Sequence, residues 1–261
     1  MKRAIGLAAL TVLELPHDEQ VSVAAQAGYD CVGLRLIPVA GQPFQHALDV
    51  GAIERRLADT GVRVLDIEVF RLAPDTRVAD FEATLAVASR LGATELLVHG
   101  ADPDESRLID RFGTLCDLAA RYRLAANLEP MPWVDVSNIA KARRVLEGAG
   151  RANSALLIDA IHFFRAGDRF DDIPKRLHYA QLCDARAERP ADMQEIIRQA
   201  RGDRLFPGEG GLDLAGLLRA LPAELPLSLE IPYAKPLPAL ERARRALAAT
   251  KAVLEQCALP S

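Results

Sequence analysis

The chain reads as one closed barrel of eight parallel strands, each followed by a helix, a (β/α)8 TIM barrel over residues 1–261. Three observations predict it. Short apolar runs alternate with longer amphipathic ones; the apolar runs number eight; and no GxGxxG turn follows the first, which removes the main reason to prefer an open doubly wound sheet.

The eight runs fall at 4–10, 31–37, 62–70, 95–99, 124–129, 155–159, 178–183 and 227–231. Most are rich in Val, Leu and Ile without alternation, as strands buried on both faces should be. Helical periodicity falls at 18–27, 78–91, 106–122 and 137–146. In the second of these, Val78, Phe81, Leu85, Ala88 and Leu91 recur mostly three or four apart. Gly28, Gly61, Gly92 and Gly148 stand where left-handed C-caps would end helices. After the seventh run comes a charged excursion, 186–204, with a helical piece at 192–200. The last helix, 237–257, closes the barrel, and its Arg242, Arg244, Arg245 and Lys251 read as a solvated face.

Composition bounds the function. With 50% hydrophobic and 26% charged residues, the chain is an ordinary globular one, long enough for a full core. A net charge of −4 and a pI near 5.8 argue against nucleic acid or an anionic membrane as partner. Cys31, Cys116, Cys183 and Cys257 show no CxxC pairing and read as reduced, buried thiols. The stretch Met1-Lys2-Arg3-Ala4-Ile5-Gly6-Leu7 lacks the sustained apolar core of a signal peptide, and no run of 18 apolar residues suggests a membrane span. The expectation is a cytoplasmic protein of one domain.

Chemistry in such a barrel sits at the C-terminal strand ends. Four late strands end in an acid or amide that apolar patterning does not explain: Glu129 in Leu128-Glu129-Pro130, Asp159 in Leu157-Ile158-Asp159, Gln181 in Ala180-Gln181-Leu182, and Glu230 in Leu229-Glu230-Ile231. Three carboxylates gathered at one mouth repel unless protonated or bridged by a cation. A bound divalent metal converts that repulsion into ligation, and an oxygen-rich set favours Mn²⁺ or Mg²⁺, with Co²⁺ or Zn²⁺ as alternatives. The plainer alternative is that these acids cap neighbouring helices. His162, three residues after Asp159, can take a proton as a neutral imidazole. His99, Arg71, Arg35 and Trp133 are candidates for substrate contact, the arginines as anchors for a carboxylate or phosphate and Trp133 as an apolar wall. Ion pairing and core packing are their respective alternatives. The turn Phe206-Pro207-Gly208-Glu209-Gly210-Gly211 either lets backbone approach a ligand or is a turn alone.

Taken in order, Leu128-Glu129-Pro130, Asp159-Ala160-Ile161-His162, Gln181-Leu182-Cys183-Asp184-Ala185, Pro207-Gly208-Glu209-Gly210 and Ser228-Leu229-Glu230 resemble the xylose-isomerase-like TIM barrel superfamily of sugar isomerases and epimerases. The resemblance implies one divalent metal on Glu129, Asp159, Gln181 and Glu230, and His162 facing the substrate. It also implies, by analogy with ketose epimerases, that Glu129 and Glu230 form the proton-shuttling pair. Many relatives carry His where this chain has Gln181. The Gln pattern, with Phe70-Arg71 and Glu129-Pro130, is similar to dehydroshikimate dehydratases of the superfamily, which would make His162 the base and Arg71 the carboxylate anchor. The leading expectation is therefore an isomerase or epimerase acting through an enediolate on a small sugar or polyol-derived substrate. A lyase of the dehydratase type and a non-catalytic metabolite-binding barrel are the alternatives. DNA repair, as in the AP endonucleases of the superfamily, would need more than five histidines. A homo-oligomer is compatible with the family.

Overall fold

The structure, a computed structural model, describes residues 3–39 and 45–258; Met1 and Lys2 of the amino-terminal stretch lie outside it. Its eight strands are β1 (Ile5–Leu7), β2 (Cys31–Arg35), β3 (Arg63–Leu72), β4 (Glu95–Gly100), β5 (Ala125–Glu129), β6 (Ser154–Asp159), β7 (Leu177–Leu182) and β8 (Leu227–Leu229). They close in sequence order into a parallel barrel, with Gly6 of β1 beside Ser228 of β8. The helices are α1 (His17–Ala27), α2 (Val50–Thr60), α3 (Glu82–Arg90), α4 (Glu105–Arg121), α5 (Ile139–Ala149), α6 (Ala160–Ala166), α7 (Met193–Gly202), α8 (Leu214–Ala220) and α9 (Ala239–Ala258). No described helix is long and apolar enough to cross a membrane.

Local sequence sets these boundaries. Asp49, Asp104, Asn138, Asp159, Asp192 and Asp213 each accept a backbone N–H at a helix start, satisfying donors the helix leaves free. Three expectations need correction. The first strand ends at Leu7, because Ala9–Val12 turns into a 3₁₀ segment whose Thr11 hydroxyl donates to Leu229 O. Gly148 lies inside α5, where a Cβ would press on Ile109 of α4; the left-handed cap is Gly150, at φ 60°. Arg242 is buried rather than solvated: it donates to Thr11 O at 2.6 Å and Leu237 O at 2.9 Å and pairs with Glu14. All four cysteines are free, and three are buried.

The main core lies between sheet and helices, and a smaller apolar set, Val69, Leu97, Leu157 and Tyr179, forms a separate cluster. Amid the strands, Asp66, Asn127 and Ser228 are fully buried polar side chains. Gly33 makes room for one of them, since a Cβ there would stand 2.7 Å from Asp66 Oδ1. Burial, then the neighbouring Glu68, raises the Asp66 carboxyl well above the ordinary carboxylate range.

Candidate active site at the barrel mouth

Glu129 and Asp159 are the last residues of β5 and β6, Gln181 sits beside Asp159 on β7, and Glu230 follows β8 by one residue. All four are buried. Glu129, Asp159 and His162 offer ligand atoms that lie within 4.8 Å of one another. His162 owes its place to Asp159, whose Oδ1 accepts the His162 N–H at 3.1 Å and caps α6. Gln181 Nε2 donates to Glu230 Oε1 at 3.1 Å, joining the other two predicted ligands.

Arg204 ties the two halves together. Its guanidinium, 2% exposed, lies 2.6 Å from Asp159 Oδ2 and 2.7 Å from Glu230 Oε2. Its Nε donates to Ala200 O of α7 at 2.7 Å. Sequence reading passed over this residue because it closes a charged excursion. The available signal was an arginine heading the apolar pair Leu205-Phe206 just before the glycine turn. Glu68 was missed for the same kind of reason, lying inside a strand; it takes Arg35 at 2.7 Å.

Of the candidates for substrate contact, His99 Nε2 donates to Glu129 Oε2 at 2.7 Å. Trp133 meets the His162 ring edge-on, centroids 4.9 Å apart. Arg35, spent on Glu68, still lines the mouth. Arg71 is exposed, and its guanidinium makes no hydrogen bond or ion pair with the described residues. These side chains line a cavity of about 670 Å³ that also reaches Met131, Arg201 and Phe81. The turn at 206–211 wraps Asp184, whose carboxylate accepts N–H groups of Ala185, Gly208, Gly210 and Leu212 at 2.8–3.2 Å. A Cβ on Gly210 would overlap Ala185 O and that carboxylate.

Electrostatics match a site built for a cation. Burial, then Asp159, raises the Glu129 carboxyl well above its ordinary range. Burial also drives Glu230 up to about 8 against the pull of Arg204. In Asp159 the same burial is outweighed, chiefly by Arg204, and its pKa falls below the usual value. His99 and His162 are both lowered to about 3 by burial, so both are neutral at pH 7. With every carboxylate ionised, as ligation requires, the buried Glu68, Glu129, Asp159 and Glu230 pair with the buried guanidiniums of Arg35 and Arg204 and leave two negative charges among these six groups, while the exposed Arg71 and Arg201 line the same cavity. Glu129 Oε1 and Gln181 Oε1 are buried without a hydrogen-bond partner among the described residues. Oxygen donors left open in a doubly negative pocket fit a divalent metal. The structure adds His162 to the neighbourhood of that position.

A barrel with a buried acid, imidazole and amide cluster at its C-terminal face is the class of protein that fold and site define. The family described as xylose isomerase-like TIM barrel matches residues 21–253, and the chain belongs to it. It is 29% identical over 254 residues to a 3-dehydroshikimate dehydratase of Pseudomonas aeruginosa, covering 88% of this chain and 38% of the relative's length. A xylose isomerase-like TIM barrel/4-hydroxyphenylpyruvate dioxygenase fusion protein superposes with TM-score 0.82 at 22% identity, over 98% of this chain and 43% of its own. The IOLI protein with a binding zinc atom superposes with TM-score 0.78 at 18% identity, over 97% and 98%. The chain thus spans less than half the length of the dehydratase and fusion relatives it matches.

Proposed function

We propose that this chain is a divalent-metal-dependent lyase that removes water from a small hydroxylated oxo acid, the reaction class named for its Pseudomonas relative. One observation carries the choice. Both Glu230 oxygens are engaged, by Arg204 and Gln181, whereas the buried His162 Nδ1 has no hydrogen-bond partner among the described residues. A reaction needing one free base suits this arrangement better than one needing two free glutamates.

Glu129, Asp159, Gln181 and Glu230 would hold the metal, Asp159 and Glu230 through the lone pairs that their bonds to Arg204, Gln181 and the His162 N–H leave free. When bound, it supplies positive charge that polarises a substrate carbonyl and eases loss of the neighbouring proton. His162, neutral at pH 7, takes the proton next to that carbonyl. The electron pair of the broken C–H bond becomes a C=C bond, and the C–O bond to the β-hydroxyl breaks. The imidazolium returns its proton to that hydroxyl, which leaves as water. Arg71 holds the substrate carboxylate, and Trp133, edge-on to His162, gives the cavity an apolar wall beside it.

The test is a panel of 3-dehydroshikimate and ketoses, incubated with protein and Mn²⁺ in D₂O. Growth of a conjugated ultraviolet absorbance is expected. Deuterium entering a recovered ketose with no new absorbance would instead establish epimerisation, the second reading, in which Glu129 and Glu230 exchange protons with the two faces of one carbon.

A pH dependence follows. Glu230 titrates near 8 in the folded, metal-free protein, far above an unfolded glutamate. Metal uptake must displace that proton and the one the raised Glu129 carboxyl holds, so apparent Mn²⁺ affinity is expected to climb with pH through 8, at most about tenfold per unit for each proton displaced. Without metal the sign runs the other way: between the unfolded pKa and 8 the folded state holds a proton the unfolded state releases, and stability falls as pH rises. Calorimetric titrations from pH 6 to 9 check both slopes.

A further inference from the structure

We infer that Arg204 is a positioning residue that sets the charge of the metal site, acting through Asp159 and Glu230 to leave the pocket two negative charges and so to select divalent over trivalent ions. This rests on the metal reading above and goes beyond it, because the ligands themselves would accept either kind of ion. Three carboxylates with no counter-charge form a set that favours trivalent cations. Arg204 stands against two of those three, 2.6 Å from Asp159 and 2.7 Å from Glu230.

The position is built. Arg204 is buried, its Nε is held by Ala200 O, and Nη1 also donates to Glu230 O at 3.2 Å. The Leu205 backbone that follows exchanges both hydrogen bonds with Asp184, at 2.8 and 2.9 Å. Arg165, equally buried, donates to Gln199 Oε1 at 3.1 Å and Arg186 O at 2.7 Å, pinning the end of α7 from which Ala200 reaches Arg204. The guanidinium is therefore a fixed charge. One fixed charge roughly 5 Å from an ion, at an effective dielectric near 20, shifts the preference between a trivalent and a divalent ion by on the order of a hundredfold.

The experiment measures Mn²⁺ and Tb³⁺ affinities at one pH, Tb³⁺ through emission sensitised by Trp133, the chain's only tryptophan, and Mn²⁺ by its displacement of that signal. Arg204→Met should move the ratio of affinities toward Tb³⁺ by about a hundredfold. Arg204→Lys, which keeps the charge, should return it to within about tenfold of wild type. Gln181→Glu adds a negative charge without touching Arg204 and should move the ratio the same way, so it carries the test if Arg204→Met does not fold. A folded Arg204→Met that binds one ion with an unmoved ratio overturns the inference, as does an unmoved ratio in Gln181→Glu should the methionine variant not fold. Wild type that takes up neither ion removes the metal reading itself, a different failure.

Discussion

Glu129→Gln is expected to lower Mn²⁺ affinity by at least about a hundredfold and turnover by about a thousandfold, while the metal-free protein stays folded and becomes no less stable. The two halves come from one arrangement. Glu129 carries an open oxygen, Oε1, which lies 3.7 Å from His162 Nε2. Removing its charge also leaves the pocket one negative charge short of balancing a divalent ion. Yet ionising Glu129 in the empty site is unfavourable: burial and the neighbouring Asp159 hold its carboxyl well above the ordinary range. At any pH above the unfolded pKa that raised value costs folding free energy, and a neutral amide of the same shape removes the cost. A structural acid behaves the other way, losing stability on neutralisation. Calorimetry for metal and thermal melts with excess chelator separate the two. Wild-type Mn²⁺ binding in the variant would end the assignment.

Asp184→Ala should destabilise the chain by on the order of 4 kcal/mol and lower Tm by roughly 10 °C. Its carboxylate is buried and satisfies four backbone N–H groups, two of them from the turn at 206–211 and one from Leu212 just after it. Alanine leaves those donors without partners where solvent does not reach freely. The backbone of Asp184 also pairs with Leu205, next to Arg204, so the loss should reach the site and weaken Mn²⁺ binding as well. Asp184→Asn keeps one acceptor oxygen and should lose about half as much. Melting curves and metal titrations of both variants check the order; an alanine variant melting within about 2 °C of wild type would contradict it.

Much of this molecule was legible in one dimension because parallel barrel strands are buried on both faces and announce themselves as apolar runs. Glu129, Asp159, Gln181 and Glu230 stood out against those runs, and the fold brings all four to one end. Strand ends were less legible. Residues 8–10 are as apolar as β1, yet the chain turns there, and only the Thr11 bond to Leu229 O, 218 residues away, shows why. Arg204 and Arg242 illustrate a deeper limit. An arginine in a charged stretch looks solvated until its counter-ion arrives from a distant segment: Asp159 and Glu230 for one, Glu14 and the Thr11 carbonyl for the other. Pairings across that much chain leave no local periodicity to read.

Asp159 has two duties, one for each oxygen of its carboxylate. One oxygen faces Arg204 and the acid cluster; the other fastens the first turn of α6 and with it the imidazole of His162. On the proposed function, a substitution that removes both oxygens, such as Asp159→Ala, would disturb ion and base together, so its kinetic defect would not be the worth of a lost ligand. Combined with a change at His162, it should show strong epistasis, the double variant little worse than the poorer single one. The route by which this pocket could trade one chemistry for another therefore runs through Gln181, Arg71 or the loops, and not through Asp159.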